Sequence, residues 1–529
     1  MRLLFANDSK NLKNEIPLYI NMNYIGISCG FHDAALAVVG DRGEILFAAH
    51  SERYSREKND RQLHRDLINN AYEYIDGNWQ LHYYERPVLK YLRQLRAGQQ
   101  PSWRSLFASN IITESKLLML GNKPIQTHGH HLSHAAAGFQ TSPFDRATVV
   151  VIDAIGEFDT ITIWDAEYRD GRAHYKQLWH RTYPDSIGLF YSAMTQRIDL
   201  KPNEDEYILM GMAAWSSLYT DYGSTRYSLP GLEWDIRKYA IQTPLETLTF
   251  KNNFHCGIDK NMFCESSDID IAGATQALTE KLIRSVIHKA HLIGHSKNLV
   301  YGGGVALNCL ANRNLGDFFE NIWIMPNPGD GGSSLGAAAL GHGGRLQWTS
   351  AYLGYDIPGS YPVASAVDRL CTNGIVGIAS GRAEFGPRAL GNRSLLADPR
   401  GPHIKDQVND IKQRQKFRPF APVILEEHLN DYFTMPKNWS NSQYMQTTAH
   451  CKKPEAFPAV CHVDGTSRVQ TVPKDGSGIR QLLEAWYAKT GCPMLLNTSL
   501  NIKGQPMVNT VDDAREFENT YRVPVLVGE

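Results

Sequence analysis

Hydrophobic strands alternate with polar elbows in the first third of the chain. Residues 23–53, NYIGISCGFHDAALAVVGDRGEILFAAHSER, predict a strand, a polar elbow at Gly30 to Asp33, and a second strand. Residues 146–171, RATVVVIDAIGEFDTITIWDAEYRDG, repeat this order with an elbow at Asp153 to Glu157. Two units with the same pattern predict an internal duplication, and therefore a cleft between two related halves.

The pattern then changes to helices and strands in alternation. Residues 275–293 place apolar side chains at helical spacing, which predicts a helix with one buried face. The segment NLVYGGGVALNC predicts a short buried strand, three glycines and a helix start, and NIWIMPNPG followed by GDGGSSLGAAAL predicts a strand, a loop and a helix. This alternation indicates an α/β fold.

Glycine, serine and proline become frequent over residues 341–360, and the pattern breaks there. We place a domain boundary near residue 348. The segments GIVGIAS, APVIL, MLLN and VPVLVG then predict short apolar strands in an α/β or α+β setting. The resulting division is an N-terminal arm at 1–22, a first domain at 23–347 and a second domain at 348–529.

Length and composition narrow the class of protein. A chain of 529 residues exceeds what one hydrophobic core usually serves. The formal net charge is −1, and no basic stripe predicts a nucleic-acid polymer as partner. Eight cysteines without a CxxC pair argue against a zinc ribbon or a dense disulfide framework. Without an apolar signal-peptide core or a membrane-length apolar run, we expect a cytoplasmic protein with no membrane partner.

Four side chains form a candidate metal site. In THGHHLSHAAAGFQ, His130 and His134 are spaced to share one helix face, while His131 points elsewhere. Asp153 ends one buried strand and Asp330 follows another, and strand ends gather at one edge of an α/β sheet. This ligand set suits iron(II), manganese or zinc. An isolated HxxxH pair is equally typical of a solvated helix end, so the site depends on the two aspartates.

Two glycine-rich turns are candidates for nucleotide binding. GGGVALN contains Gly303, Gly304 and Asn308, and GDGGSSLG contains Gly331. Glycines let backbone amides approach phosphates at the start of a helix. Neither turn is a Walker A motif. Tight-turn packing explains either one alone, whereas two such turns beside an acidic elbow favour an adenine-nucleotide site.

The first elbow offers candidate catalytic residues. His32 and Asp33 lie in it, and Lys58 follows the second strand in SERYSREK. A histidine at this place can accept a proton from a hydroxyl or stabilise a developing negative charge. The alternatives are a turn histidine paired with an aspartate, and a surface lysine.

The second domain concentrates cations beside glycines. Guanidinium groups match phosphate and carboxylate oxygens, so this concentration predicts a phosphate-handling site. The candidates are Arg388, Arg393, Lys412, Arg418 and Arg468, with Asn497 and Ser499 nearby and further cations at Arg382, Arg400, Arg414 and Lys416.

Taken together, these motifs resemble a known family, the O-carbamoyltransferases that act on nodulation factors, cephalosporins and tobramycin. They occur in order from about residue 23 to residue 525: GISCGFHDAALAVV, SERYSREK, HHLSHAAAGF, VVVIDAIGE, GGGVALN, GDGGSSLGAA, GRAEFGPRALGNRSLLADPR, FRPFAPV, DGTSRVQ and LNTSLNIKGQPMV. The resemblance implies a duplicated ASKHA-type (ribonuclease H-like) α/β domain, followed by an α+β YrdC-like domain.

The resemblance also implies a two-step reaction. The YrdC-like domain joins carbamoyl phosphate to ATP, with Mg²⁺ accompanying the ATP, and releases pyrophosphate. The first domain moves the carbamoyl group from carbamoyl-adenylate to a hydroxyl of a small molecule and releases AMP. A homodimer is reasonable for such a family.

The family's functional residues carry over to this sequence. Iron(II) ligands match His130, His134, Asp153 and Asp330. His32 matches the catalytic elbow histidine, and Lys58 matches a lysine of the active cleft. The carbamoyl phosphate and ATP site matches Arg388, Arg393, Lys412, Arg418, Arg468, Asn497 and Ser499.

One departure and two alternatives stay open at this point. The family commonly has lysine in an EYKVMG-like stretch, whereas this chain has Ile208 in EYILMG, so the acceptor is not predicted. A kinase or phosphohydrolase on the ASKHA architecture explains the glycine turns but leaves the arginine-rich second domain unused. A non-catalytic nucleotide-binding protein leaves the metal ligands unused.

Overall fold

Two five-stranded sheets form the first half of the protein. The computed structural model describes residues 21–108, 110, 124–216, 220–222, 225–227 and 231–529. The strands of this half, in chain order, are β1 (Met22–Ser28), β2 (Ala35–Val39), β3 (Ile45–His50), β4 (Asn78–Tyr83), β5 (Ile125–Thr127), β6 (Arg146–Gly156), β7 (Asp159–Arg169), β8 (Arg172–Thr182), β9 (Thr220–Tyr222), β10 (Thr225–Tyr227), β11 (Asn298–Gly302) and β12 (Asn321–Trp323).

The two sheets share one topology. Their strand orders are β3-β2-β1-β4-β5 and β8-β7-β6-β11-β12. In each sheet the first three strands are antiparallel and the last two run parallel to the central strand. Strands β9 and β10 form a separate hairpin. The predicted α/β duplication is therefore confirmed, because each copy begins with a strand, an elbow and a second, antiparallel strand.

The helices of this half connect and cover the sheets. They are α1 (Glu52–Ser55), α2 (Arg65–Tyr72), α3 (Pro87–Arg96), α4 (His130–Thr141), α5 (Ile187–Arg197), α6 (Glu206–Ala213), α7 (Leu232–Ala240), α8 (Asp268–Ile293) and α9 (Ser333–His342), with 3₁₀ turns at Trp103–Leu106, Leu245–Thr247, Phe254–Cys256, Gly304–Leu307, Ala311–Asp317 and Asp330–Gly332.

Helices α4 and α9 cross in close contact between the two sheets. A Cβ atom on Gly336 would lie 1.8 Å from the carbonyl oxygen of Ser133, so only glycine permits this approach. Gly26 of β1 is under the same restriction against Ser334 of α9. Because each helix follows the last strand of its own unit, the crossing brings the starts of α4 and α9 to one place.

Sequence patterns placed the strands around both elbows, strands β11 and β12 and helices α8 and α9, with differences at their ends. Helix α8 begins at Asp268, earlier than the predicted start at residue 275. The helix predicted after the three glycines is only the 3₁₀ turn Gly304–Leu307, so that prediction was wrong in type. Gly303, with φ of 87°, turns the chain sharply at this point, and the turn ends at Asn308.

A six-stranded mixed sheet is the centre of the second half. Its strand order is β21-β17-β22-β16-β14-β23, and it contains all four apolar segments predicted as strands. The strands of this half are β13 (Tyr352–Ile357), β14 (Ile375–Ala379), β15 (Gly381–Glu384), β16 (Arg393–Ala397), β17 (Ala421–Leu425), β18 (Phe433–Thr434), β19 (Ala449–Cys451), β20 (Thr466–Ser467), β21 (Gln470–Val472), β22 (Met494–Ser499) and β23 (Val525–Val527).

Five helices pack around this sheet. They are α10 (Val363–Asn373), α11 (Ile404–Ile411), α12 (Leu429–Tyr432), α13 (Gly478–Thr490) and α14 (Val511–Tyr521), with a 3₁₀ turn at Glu426–His428.

The two halves have separate cores and a shared seam. One large core cluster lies mainly between residues 150 and 324, and another lies between residues 357 and 525. Leu353 and Phe385 of the second half pack into a third cluster with Val39, Met325 and Leu335 of the first. The boundary near residue 348 stays a prediction, and residues 1–20 of the predicted arm lie outside the described residues. Within the described ranges, no helix has the length and apolarity to cross a bilayer.

Candidate metal and phosphate sites

The four predicted metal ligands meet at the crossing of α4 and α9. One ligand atom each from His130, His134, Asp153 and Asp330 lies within 4.8 Å of the other three, and all four residues are buried. The histidines come from the first turn and a half of α4. Asp153 lies in β6 and Asp330 opens the 3₁₀ turn before α9. The duplicated fold therefore assembles one site from both units.

The Nε2 atoms of both histidines point inward. They lie 3.1 Å apart, and Asp330 Oδ1 lies 3.3 Å from that of His130 and 3.2 Å from that of His134. Asp153 Oδ2 is 3.2 Å from His130 Nε2. On its outer side, His134 Nδ1 donates to the carbonyl of Pro328 at 3.0 Å, which leaves Nε2 as the ligand atom.

The charges at this cluster fit a bound cation. Among the described residues, no lysine or arginine pairs with Asp153 or Asp330. Burial favours protonation of these carboxyls, but the adjacent His130 and His134 outweigh it and lower the pKa of both aspartates. The pKa of each imidazole is raised in turn, against the effect of its burial. Two imidazole nitrogens and two carboxylates in a dry pocket are a donor set for a divalent transition metal.

His32 lies beside this cluster and is oriented by Asp33. Its Nδ1 is 2.9 Å from Asp33 Oδ2, and its Nε2 is 3.9 Å from Asp330 Oδ2. Burial lowers the pKa of His32, but the hydrogen bond to Asp33 and the charge of Asp330 outweigh it and raise the pKa to about 9. Lys58 contacts Glu52 instead, at 3.2 Å from both carboxylate oxygens. The structure therefore joins His32 to the metal ligands and holds Lys58 in an ion pair.

The four candidate nucleotide residues of the first half have structural contacts. Gly304 donates its backbone amide to Asp153 Oδ1 at 3.1 Å, and Gly303 allows the turn past Ile152. Asn308 exchanges two hydrogen bonds of 3.0 Å with the amide of Gln276. A Cβ on Gly331 would lie 2.2 Å from His50. Their role in nucleotide binding stays a prediction.

Three arginines of the second half form a cationic cluster, which we call the arginine cluster: Arg388, Arg418 and Arg468. Burial, and then the charges of Arg468 and Arg418, lower the pKa of Arg388 to about 9. Within the described part of the chain, neither Arg388 nor Arg468 has a hydrogen-bonded or ion-paired acceptor, and Arg468 Nε is buried. Partly buried guanidinium groups without acceptors favour an anionic ligand.

Four other candidates of this half are bonded within the protein. Arg393 is fully buried and donates to the backbone carbonyls of Tyr355, Ser380, Gly381, Asn392 and Asn509.

The remaining three lie on or beside β22. Lys412 Nζ contacts oxygens of Ser499 and Asn501, and Ser499 donates to Asn501. Asn497 donates to Ala389 and Gln470 and keeps a buried Oδ1 without a partner. These contacts shape the site around the arginine cluster.

Sequence reasoning missed two residues beside these sites. Glu85 follows β4 and lies 3.6 Å from His130, and the strand-end signal that selected Asp153 would also have found it. Tyr207 of α6 contacts Arg418 across the seam. The adjacent Ile208 is buried in the structure, so the residue that replaces the family lysine belongs to the core.

Comparison with known proteins identifies the family. The carbamoyltransferase N-terminus matches residues 63–339, and the carbamoyltransferase C-terminus matches residues 367–529. An uncharacterised protein of Synechocystis sp. is 31% identical, with 93% of each chain covered. Nodulation protein NolNO of Sinorhizobium fredii is 30% identical over 91% of this chain and 76% of its own.

Among solved structures, HypF of T. kodakarensis aligns with a TM-score of 0.31 and 14% identity, covering 62% of this chain and 48% of that one. A likeness this low carries no inference about this chain. The two family matches together cover most of the sequence. They include the elements that hold the candidate metal ligands and the elements that hold the arginine cluster. The chain therefore belongs to the carbamoyltransferase family and is an enzyme of carbamoyl transfer.

Proposed function

We propose that the protein is an ATP-dependent O-carbamoyltransferase that works in two steps. In the second half, from about residue 348, water cleaves carbamoyl phosphate into carbamate and phosphate, and the carbamate then attacks the α-phosphorus of ATP and releases pyrophosphate. The first half passes the carbamoyl group of the resulting carbamoyl-adenylate to a hydroxyl of a small molecule and releases AMP. Each step has its own group of side chains, on opposite sides of the seam between the halves.

The arginine cluster supplies the side chains for the first step, the formation of carbamoyl-adenylate. ATP and carbamoyl phosphate are both anions, and Arg388, Arg418 and Arg468 supply positive charge without an ion-paired carboxylate among the described residues. Arg393, Lys412 and Asn497 hold the surrounding strands in place. Because the three guanidinium groups are partly buried, their interaction with phosphate oxygens is stronger than in water. Mg²⁺ accompanies ATP as its usual counterion.

His32 and the His/Asp cluster are the group for the second step. Asp33 orients the imidazole of His32 so that Nε2 faces Asp330 and the interior of the cleft. There it can take a proton from the attacking hydroxyl or give one to the departing AMP. His130, His134, Asp153 and Asp330 would hold iron(II), manganese or zinc, which when bound supplies Lewis-acid polarisation. Enclosure between the halves limits hydrolysis of the adenylate.

The arginine cluster is the observation that carries this proposal. A kinase or phosphohydrolase built on the duplicated fold has no use for an arginine cluster beside a separate sheet, in which Arg388 and Arg468 have no acceptor among the described residues. A protein that only binds nucleotide has no use for His32 and four converging ligands. A donor-activating site and a transfer site in one chain account for both groups.

The test is a pair of measurements on the full chain. Pyrophosphate release from ATP is expected only when carbamoyl phosphate is present. With a panel of hydroxylated small molecules added, mass spectrometry is expected to detect one product that has gained a single carbamoyl group, together with AMP. Release of ADP, or pyrophosphate release independent of carbamoyl phosphate, would contradict the proposal.

A further inference from the structure

Glu85 is a buried carboxylate at the end of β4, and only 2% of its surface is exposed. Its Oε1 atom accepts from Lys90 Nζ of α3 at 2.6 Å and from the Tyr83 hydroxyl at 3.3 Å. Its Oε2 atom has no such donor among the described residues and faces His130, with 3.6 Å between Oε2 and Nδ1. One oxygen of this carboxylate is therefore fixed by Lys90, and the other is directed at a metal-ligand histidine.

The Nδ1 atom of His130, which faces away from the cluster, needs a hydrogen-bond acceptor. Its Nδ1 atom is buried and has no hydrogen-bond partner among the described residues, and 3.6 Å is longer than a hydrogen bond. His134 has the equivalent atom bonded to the Pro328 carbonyl at 3.0 Å. Glu85 therefore occupies the position beside His130 that the Pro328 carbonyl occupies beside His134. The distance from Glu85 Oε2 to His130 Nδ1 must shorten by a few tenths of an ångström for a hydrogen bond to form.

The ring of His130 has little freedom to turn away. A Cβ on Gly156 would lie 2.2 Å from the ring, so the backbone of β6 packs directly against one edge. The ring of Tyr84 packs beside it at a centroid distance of 5.1 Å. Since the ring position is fixed, the position of its proton decides whether Nε2 offers a lone pair to the cluster.

We propose that Glu85 is a positioning residue that keeps the proton of His130 on Nδ1, so that Nε2 is available as a metal ligand. This inference rests on the metal site of the proposed function and adds a residue that acts through His130. Lys90 sets the direction of the carboxylate. A carboxylate that holds the outer nitrogen of a ligand histidine is a common way to fix its tautomer.

The variant E85Q tests the proton position. Lys90 requires an acceptor, so the glutamine oxygen turns to Lys90 and its amino group turns to His130 Nδ1. Nδ1 must then accept, and the ring proton moves to Nε2, where it blocks coordination. The expected result is an affinity for Mn²⁺ about 10- to 100-fold weaker than that of the wild type, measured by calorimetric titration of the full chain.

The matched control is E233Q. Glu233 is likewise buried and likewise bound to a lysine, with 2.7 Å between Lys281 Nζ and Oε2. It lies in α7, which supplies none of the four cluster ligands. E233Q is expected to bind Mn²⁺ as the wild type does, whereas equal weakening in both variants would assign the loss to a buried glutamate in general and overturn the inference.

A second measurement covers the case in which E85Q does not fold. In Zn²⁺-loaded wild-type protein labelled with ¹⁵N-histidine, the resonance lost in H130Q identifies His130. A protonated Nδ1 supports the inference, and a protonated Nε2 overturns it. E85Q that folds and binds Mn²⁺ within twofold of the wild type also overturns it, while leaving the metal site in place. A wild-type protein that binds neither ion overturns the metal site and this inference together.

Discussion

The guanidinium of Arg418 lies 4.7 Å from the ring centre of Tyr207. Arg418 belongs to the second half, and Tyr207 lies on α6 of the first. A second contact, 3.0 Å between His462 Nε2 and the Gly211 carbonyl, joins α6 to the second half one turn further on. Helix α6 therefore brings the first half into contact with the arginine cluster.

Removal of the Tyr207 ring should weaken binding of the phosphate substrates. The ring restrains an arginine that has like charges nearby, and an exposed cation–π contact is worth about 0.5–1 kcal/mol. Y207A should therefore raise KM for carbamoyl phosphate about two- to fivefold in the pyrophosphate-release assay. Y207F keeps the ring and serves as the control. An unchanged KM in Y207A would show that the contact does not restrain Arg418.

Arg388 and Arg393 should respond in opposite ways to substitution by methionine. Arg388 has no acceptor in the described part of the protein and lies among like charges, so R388M should keep or raise the melting temperature. The same variant should slow pyrophosphate release about 10²- to 10³-fold, since it removes a donor aimed at phosphate oxygens.

R393M should unfold more easily, because five backbone carbonyls lose their donor. A loss of at least about 3 kcal/mol in the free energy of unfolding is expected by urea denaturation. The comparison of R388M with R393M distinguishes an arginine that serves a ligand from an arginine that stabilises the fold. Equal destabilisation of both variants would mean that Arg388 has a structural role.

His32 should matter only to the second step. H32A removes the group that we propose moves a proton at the acceptor hydroxyl or at AMP, and such catalysis is typically worth about 10²- to 10⁴-fold. Carbamoyl transfer should slow by that amount, while carbamoyl phosphate-dependent release of pyrophosphate stays at the wild-type rate. Equal loss of both half-reactions would remove His32 from this role.

His82 should make the protein less stable in mild acid. Burial, together with the nearby His128, lowers the pKa of His82 from 6.5 to about 4. Between these values the unfolded chain binds the proton that the folded protein excludes, so the free energy of unfolding falls as pH drops from 6.5 to 4. H82Q should give a shallower fall in urea denaturation over this window, judged against each protein's own value at pH 8. Parallel curves would contradict the assignment.

Sequence patterns selected the four residues of the candidate metal site because each has a local signal. His130 and His134 are spaced on one helix face, and Asp153 and Asp330 follow apolar strands. The four side chains come together because α4 and α9 cross. The duplicated units predict this crossing in outline. The close contact of Gly336 with Ser133 fixes the crossing, and nothing in the local pattern around Gly336 indicates that contact.

The roles of the arginines were harder to predict for a physical reason. Arg388 and Arg393 are separated by only five positions in one glycine-rich segment, and composition treats them alike. Their difference arises because Arg393 opens β16 and is buried among carbonyls from several parts of the second half, whereas Arg388 lies in the loop before β16 and faces Arg418 and Arg468. Whether an arginine is hydrogen-bonded within the fold or left available to a ligand depends on tertiary contacts, and sequence spacing does not show these contacts.

Gly331 should be essential for metal binding through its contact with His50. The Cβ of G331A would lie 2.2 Å from Cε1 of the His50 ring, and that ring is fixed by a 2.8 Å contact with Asn327. The clash must therefore displace the 3₁₀ turn that carries Asp330, and Mn²⁺ affinity should fall at least tenfold. The double variant G331A/H50A removes the ring that the new methyl group meets, so it should bind Mn²⁺ more tightly than G331A, with H50A as its reference. If the double variant binds no better than G331A, the loss comes from the flexibility or chemistry of the turn itself, and the steric explanation fails.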